Sequence, residues 1–331
     1  MSEESLTAVQ YGVGPIGARL VRAARNRGMS FVGAIDIDPD KIGRDLGDVC
    51  RLDDDLGVTI TDDVDTALSQ EPDIVFHSTV SEATIAVEQL VSILEAGCNI
   101  VSTCEELAFP WYHHPDVGAR LDEVADSNGV TCLATGINPG FVMDAMPAYL
   151  ATPMERIEAI DVLRIQNAGD RREPLQRKVG AGMTPERFET EVATEAGHVG
   201  SVESVAMLAH ALGWELDEIT ETIDAVIADR PIETEFLTVE TGDVAGVHQV
   251  AKGYVGTKEC VRLELKMAVG LESRDVVRFD GEPNVSVTVE NGYHGDIATS
   301  AIVANCAPTV VAADSGMVTM IDLSVPGFVR G

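Results

Sequence analysis

Two hydrophobic periodicities divide the chain. In the first part, short apolar runs alternate with amphipathic stretches of helical period. Residues 9–11 end a short strand, 18–27 read as a helix, and 31–35 as a second strand. A short strand at 58–60 and a short helix at 65–69 follow. Residues 72–79 form a buried strand bounded by turn signals, and 83–96 an amphipathic helix stopped by Gly97. A strand at 98–102, a helix over 114–128 closed by Gly129, and a strand at 130–134 complete the series. This alternation predicts a parallel, doubly wound sheet with helices on its faces.

The pattern then changes. Residues 158–167 alternate with a period of two and read as a strand. Residues 169–182 are glycine-rich and basic and read as a loop. Thr184 followed by Pro185 marks a helix start. Further helices are expected at 201–212 and 217–228, then strands at 235–241, 247–254, 260–269, 275–279 and 285–290. Sequential strands of this kind predict an α+β domain with an open, largely antiparallel sheet. An apolar helix at 296–313 and the run Met317-Val318-Thr319-Met320 end the chain and are expected to return to the first domain.

The 331 residues suffice for two domains, and 45% hydrophobic residues is a globular composition. Charge changes the picture. Asp plus Glu number 55 against 23 Lys plus Arg, a formal net charge of −32. Neither nucleic acid nor an anionic membrane surface is an expected partner, because phosphate-rich surfaces need cations. The acids are spread over the whole chain, as in adaptation to a high-salt cytoplasm, where a Debye length of about 3 Å at 1 M salt screens self-repulsion. The six cysteines form no C-x-x-C pair, so neither a metal site nor a disulfide framework is expected. Met1-Ser2-Glu3-Glu4 lacks a signal-peptide pattern, and no apolar run is long enough to span a membrane; a cytoplasmic location is expected.

Candidate chemistry begins at Gly12-Val13-Gly14-Pro15-Ile16-Gly17, a Gly-x-Gly-x-x-Gly between the first strand and helix. Gly12 permits the tight turn, Gly14 lets backbone approach a pyrophosphate, and Gly17 lets helix and strand pack. Asp36, ending the second strand, stands where a carboxylate would hold the adenosine ribose hydroxyls. That favours NAD; Arg44 nearby leaves NADP open. A plain βαβ turn with a surface Asp is the structural alternative.

In such a sheet the ligand lies beyond the carboxyl ends of the strands. The expected cofactor residues there are Gly12, Gly14, Pro15, Ile16, Gly17, Asp36, Ser78, Thr79, Thr103 and Asn138. Thr103-Cys104-Glu105-Glu106 places two carboxylates after a strand and beside aromatic residues. Either is a candidate base, and both also suit an ordinary helix first turn. Phe141, Arg164, His198 and His294 are candidates for the substrate side; Arg164, Arg171, Arg172, Arg177 and Lys178 are candidate partners for a substrate carboxylate, or solvated basic residues of a loop. A histidine between glycines is equally a structural residue. The expected domains are an NAD(P)-binding Rossmann domain, 1–143 with 293–331, and a substrate and dimerisation domain, 144–292.

Several segments together resemble a known family. They are Asp36-Ile37-Asp38-Pro39 with Gly43-Arg44-Asp45-Leu46-Gly47, Thr103-Cys104-Glu105-Glu106-Leu107, Gly136-Ile137-Asn138-Pro139-Gly140-Phe141-Val142-Met143-Asp144, Gly197-His198-Val199-Gly200 and Asn291-Gly292-Tyr293-His294-Gly295-Asp296. They are similar to 2,4-diaminopentanoate dehydrogenase and the native amine dehydrogenases, over nearly the whole length. The resemblance implies the fold of dihydrodipicolinate reductase and a reaction in which an amine and NAD(P)⁺ give a ketone or aldehyde, ammonia and NAD(P)H. It also implies a glutamate that binds ammonium or deprotonates the amine, at Glu105 or Glu106. An amine or ketone substrate, ammonium and a second copy of the chain, in a homodimer, are the expected partners.

The reductase itself uses a His-His motif and a Lys-x-Asp-x-Pro-Ser-Gly-Thr run in its second domain. Here the single His-His is His113-His114 in the first domain, and that run is absent. Two rival readings stand beside amine oxidation: an imine or carbonyl reductase that needs no free ammonia, and a regulator that binds NAD(H) without turnover.

Overall fold

The computed structural model describes residues 5–192 and 197–329. Met1-Ser2-Glu3-Glu4, on which the reading of the N-terminus rests, lies outside the described residues. In chain order the strands and helices are β1 (Thr7–Tyr11), α1 (Pro15–Arg25), β2 (Ser30–Ile35), α2 (Leu46–Val49), β3 (Ile60–Thr61), α3 (Val64–Leu68), β4 (Ile74–His77), α4 (Ala83–Glu95), β5 (Asn99–Ser102), α5 (Pro115–Asn128), β6 (Thr131–Ala134) and α6 (Ala145–Ala151). They continue as β7 (Arg156–Asn167), α7 (Glu173–Lys178), α8 (Pro185–Glu191), α9 (Ser201–Ala211), β8 (Glu218–Ile227), β9 (Ile232–Glu233), β10 (Thr238–Val239), β11 (Val244–Val255), β12 (Lys258–Ala268), β13 (Arg274–Glu282), β14 (Val285–Glu290), α10 (Gly295–Val311) and β15 (Gly316–Val318).

The chain folds as two compact units, one running up to Phe141 and resuming at Gly295, the other Val142–His294. The first unit holds a seven-stranded sheet in the order β15-β6-β5-β4-β1-β2-β3. Every pairing in it is parallel. Helices pack against it in two pairs, α1 with α10 and α4 with α5. Parallel strands covered on both faces must be apolar throughout, and β4 and β6 are buried at every position. The parallel, doubly wound class expected from the alternation of strands and helices is thus the observed one.

The second unit holds a six-stranded sheet in the order β14-β13-β7-β12-β11-β8. All its neighbours are antiparallel except β7 and β12. Helix α9 lies on β8, β11 and β12.

Three local expectations are corrected. Residues 217–228 are not a helix but β8, paired with β11 along its length. The segment is dense in β-branched residues, which suit a pleated edge strand, and its scattered acids lie on an exposed edge rather than a helix surface. Residues 169–182 are not all loop: α7 forms there, with a proline in its first turn and Arg177 and Lys178 in its last, both favourable to a helix. Of the strand expected over 235–241 only β10 remains, a two-residue partner of β9.

Candidate active site

The first unit gathers its unusual polar groups at the carboxyl ends of β1, β2, β4, β5 and β6. Gly12 adopts φ +87°, and a Cβ there would run into the carbonyl of Ser78. A Cβ on Gly17 would collide with the carbonyl of Gly12, whereas one on Gly14 would meet nothing within 4 Å. The loop is closed below and open above Gly14. Gln10, buried in β1, fixes it: Nε2 donates to the Gly12 carbonyl and to Ser78 Oγ, both at 2.9 Å. Ser78 Oγ in turn donates to the same carbonyl at 2.9 Å. Helix α1 starts with Pro15 and has neither a side-chain cap nor an acid in its first turn. Its N-terminus therefore suits a phosphate.

Asp36 is the second anchor. One carboxylate oxygen accepts from the Val13 amide at 2.7 Å and from Lys41 Nζ at 3.0 Å; the other accepts from the Asp38 amide at 2.9 Å. Burial raises its pKa, but the Asp38 amide, Lys41 and the Val13 amide outweigh that and hold it below the ordinary carboxylate value. Arg44 is paired with Asp48 at 2.7 Å instead. After β6, Thr135 and Asn138 are buried, and Thr135 Oγ1 and Asn138 Oδ1 have no hydrogen-bond partner among the described residues. Two orphaned polar atoms at the carboxyl end of β6, on the same edge of the sheet as the open glycine loop, fit an amide- and hydroxyl-bearing ligand such as a nicotinamide dinucleotide.

The Glu105-Glu106 pair forms a single 3₁₀ turn, Glu105–Leu107, directly after β5. Glu106 Oε2 accepts from the Ala83 amide, the first residue of α4, at 2.8 Å and lies 3.0 Å from His114 Nε2. It caps one helix and pairs with the residue that precedes another. Thr103 is tied through its amide to the His77 carbonyl at 2.9 Å. His77, which sequence reasoning passed over, is wholly buried. Its ring meets Ser102 Oγ at 2.9 Å, Gln89 Oε1 at 2.8 Å and Thr79 Oγ1 at 2.9 Å. Burial, opposed by the Gln89 hydrogen bond, brings its pKa down to about 4. A polar residue in the otherwise apolar Ile74-Val75-Phe76-His77 was the available signal, since such a group must find partners.

In the second unit, Arg164 is buried, with Nη1 on Asp275 at 2.8 Å and Nη2 donating to the Tyr293 carbonyl at 2.9 Å. Asp275 also accepts from the Tyr293 amide at 2.9 Å. The guanidinium expected to hold a substrate carboxylate is thus committed within the unit. With Asp275 it fixes the backbone just before His294. The amide of His198 donates to Gln249 Oε1 at 2.7 Å, and Gln249 Nε2 returns to the His198 carbonyl at 3.0 Å. The His198 ring donates from Nδ1 to the Val199 carbonyl at 2.7 Å. Burial, followed by the nearby cations Arg164, Lys178 and Arg171, outweighs that bond and brings its pKa to about 4. The ring is therefore neutral at physiological pH, with Nε2 the acceptor.

Among the described residues no three His, Cys, Asp or Glu side chains are grouped to hold a metal, and no helix is long and apolar enough to cross a membrane.

Comparison with known proteins is consistent with this layout. The family model for the 2,4-diaminopentanoate dehydrogenase C-terminal domain matches residues 141–331. The chain is 29% identical to 2,4-diaminopentanoate dehydrogenase of Acetoanaerobium sticklandii, covering 99% of this chain and 96% of that protein. A solved amine dehydrogenase from Mycobacterium smegmatis superposes with a TM-score of 0.85 at 28% identity, covering 99% of this chain and 98% of the other. Dihydrodipicolinate reductase from Paenisporosarcina sp. TG-14 shares the fold, with a TM-score of 0.51 at 13% identity over 96% of this chain and 99% of that one. The chain belongs to the 2,4-diaminopentanoate dehydrogenase family, nicotinamide-dependent oxidoreductases that act on amines.

Proposed function

We propose that this NAD(P)-dependent amine dehydrogenase uses Glu105 as its base and takes a small amine or a diamino acid resembling 2,4-diaminopentanoate. The observation that carries the assignment is the engagement of Glu106 by the α4 N-terminus and His114. Glu106 is built into the scaffold by these contacts, and the proton-accepting role is assigned to its neighbour Glu105 on the same turn. A carbon bearing a protonated amine resists loss of hydride, so Glu105 first accepts a proton from nitrogen. When bound, the nicotinamide supplies the hydride acceptor. Hydride loss leaves an iminium ion; Glu105 stabilises it once it has passed its proton to solvent, and water converts the iminium to ketone and ammonia. Neutral His198 offers an acceptor at Nε2, and Phe141 and His294 stand at the two boundaries between the units in the chain.

The glycine loop with Pro15, Ile16, Ser78, Thr79, Thr103 and Asn138 is the proposed dinucleotide cradle. Asp36, held ionised, favours NAD, and Lys41 beside it leaves NADP usable.

A second copy of the chain is the proposed partner. On the sheet face away from α9, Arg278, Asp161, Arg262, Glu264, Lys266 and His248 form a cross-strand ion-pair ladder beside a small apolar cluster of Leu163, Ile165 and Val276. On a chain of net charge −32 this balanced face is where two copies approach with little repulsion. The acidity suits a high-salt cytoplasm. A midpoint of unfolding that rises between 0.1 M and 2 M KCl is the expected result, and an unchanged midpoint would contradict the adaptation.

The test of the activity is incubation of the protein with 2,4-diaminopentanoate and NAD⁺ at high KCl. Equimolar NADH and ammonia are expected; NADH without ammonia would refute amine oxidation.

A further inference from the structure

The buried group His77 has no part in the chemistry just described, yet its hydrogen bonds belong to a one-directional chain of donors that runs from the Glu105 loop to Gln89 on α4. We infer that His77 and Ser102 are positioning residues that set the backbone from which Glu105 projects. The inference rests on the reading of Glu105 as base. Gln89 Oε1 can only accept, and Thr79 Oγ1 already donates to it at 2.8 Å. At 2.8 Å from that oxygen, His77 Nε2 must carry a proton. A neutral ring with its proton on Nε2 has an acceptor at Nδ1, so Ser102 Oγ donates to it at 2.9 Å. The remaining capacity of Ser102 Oγ accepts from the Cys104 amide at 3.1 Å. The relay ends on the residue preceding Glu105.

Other contacts converge on the same turn. The Thr103 amide donates to the His77 carbonyl, so His77 holds the chain through both its main chain and, by way of Ser102, its ring. The Glu106 amide and the Cys104 thiol reach the Ser81 carbonyl at 3.3 Å and 3.1 Å. Gln89 lies on α4, the helix whose first amide is bound by Glu106. The 3₁₀ turn is thereby tied to α4 at both ends, and Glu105 sits between the ties. A displacement of about 1 Å in a reacting group can lower rate about a hundredfold.

The experiment compares Ser102→Ala, His77→Phe, His77→Gln and Glu105→Gln. For each, kcat and kcat/KM for 2,4-diaminopentanoate with NAD⁺ are followed against pH, with the melting temperature and the NADH Kd. Ser102→Ala and His77→Phe are expected to lower kcat/KM by about tenfold to a hundredfold and to displace its acid limb. The NADH Kd should stay within about twofold, since only the loop geometry changes. His77→Gln keeps a donor and an acceptor and should recover most of the rate. Wild-type kinetics and acid limb in Ser102→Ala, with Glu105→Gln inactive, would reduce the relay to packing and leave the base intact. An active Glu105→Gln would overturn the base and the relay together. Nitrogen-15 spectra of labelled histidine test the direction independently of any substrate. The Nε2–H tautomer is expected for His77, and the Nδ1–H tautomer would overturn the inference.

Discussion

The turn after β5 in the first unit and the segment 291–294 in the second are each held by buried polar side chains, by different means. Under the Glu105 turn the links are neutral: Gln89, His77, Ser102 and a backbone amide. Around Tyr293 the link is an ion pair, with Arg164 and Asp275 gripping the carbonyl and amide of one residue. A neutral relay fixes direction, because each member must donate or accept in turn, and does so without adding charge beside a carboxylate. A buried ion pair fixes position strongly, but each charge depends on its partner. Placing the uncharged device next to the proposed base leaves that base's own charge to respond to substrate.

The largest effect should separate Glu105 from Glu106. Glu105→Gln is expected to lower turnover by about two to four orders of magnitude with NADH binding unchanged. Glu106→Gln should keep most of the rate and lose about 1 kcal/mol of stability, the scale of a helix cap. Steady-state rates and denaturant titration on both variants check this, and equal losses of rate would erase the distinction.

Next comes the ionic clamp. Arg164→Ala leaves Asp275 buried without its counter-ion, and about 3–5 kcal/mol of stability should be lost. A change under about 1 kcal/mol in chemical unfolding would mean that Asp275 finds another partner.

The neutral relay makes a prediction in pH. Folding holds His77 at about 4 against an ordinary 6.5, so its native interactions are fully present above pH 6.5. They weaken by about 1.4 kcal/mol per pH unit as the unfolded state takes up a proton below that, and level off below pH 4. Subtracting the pH profile of His77→Gln from that of the wild type should isolate this slope. A flat difference would show that His77 is not held neutral.

The smallest expected effect is on cofactor choice. Asp36→Ala should weaken NAD more than NADP, as measured by Kd for each, because only the ribose of NAD presents a 2′-hydroxyl to a carboxylate. Equal weakening would mean that Asp36 serves only to hold Val13 and Lys41.

The parallel sheet was legible because strands buried on both faces and helices with caps leave strong local signals, as at β4 and at Gly129, which closes α5. The tight turn at Gly12 and the close packing at Gly17 were legible because fixed spacing reflects backbone needs. The edge strand β8 was not, because a sparsely buried segment shows its period only through the strand it pairs with. The two glutamates could not be separated from sequence either. Their difference lies in the Ala83 amide and His114, which only the fold brings to Glu106. The fate of Arg164 was hidden for the same reason, since Asp275 and Tyr293 are remote in sequence.

The most direct test of amine dehydrogenation is NADH oxidation at high KCl with a panel of small ketones and aldehydes, each with and without ammonium. Oxidation that appears only when ammonium is present is the predicted result. Oxidation at the same rate without ammonium would contradict it and mark the protein as a carbonyl or imine reductase.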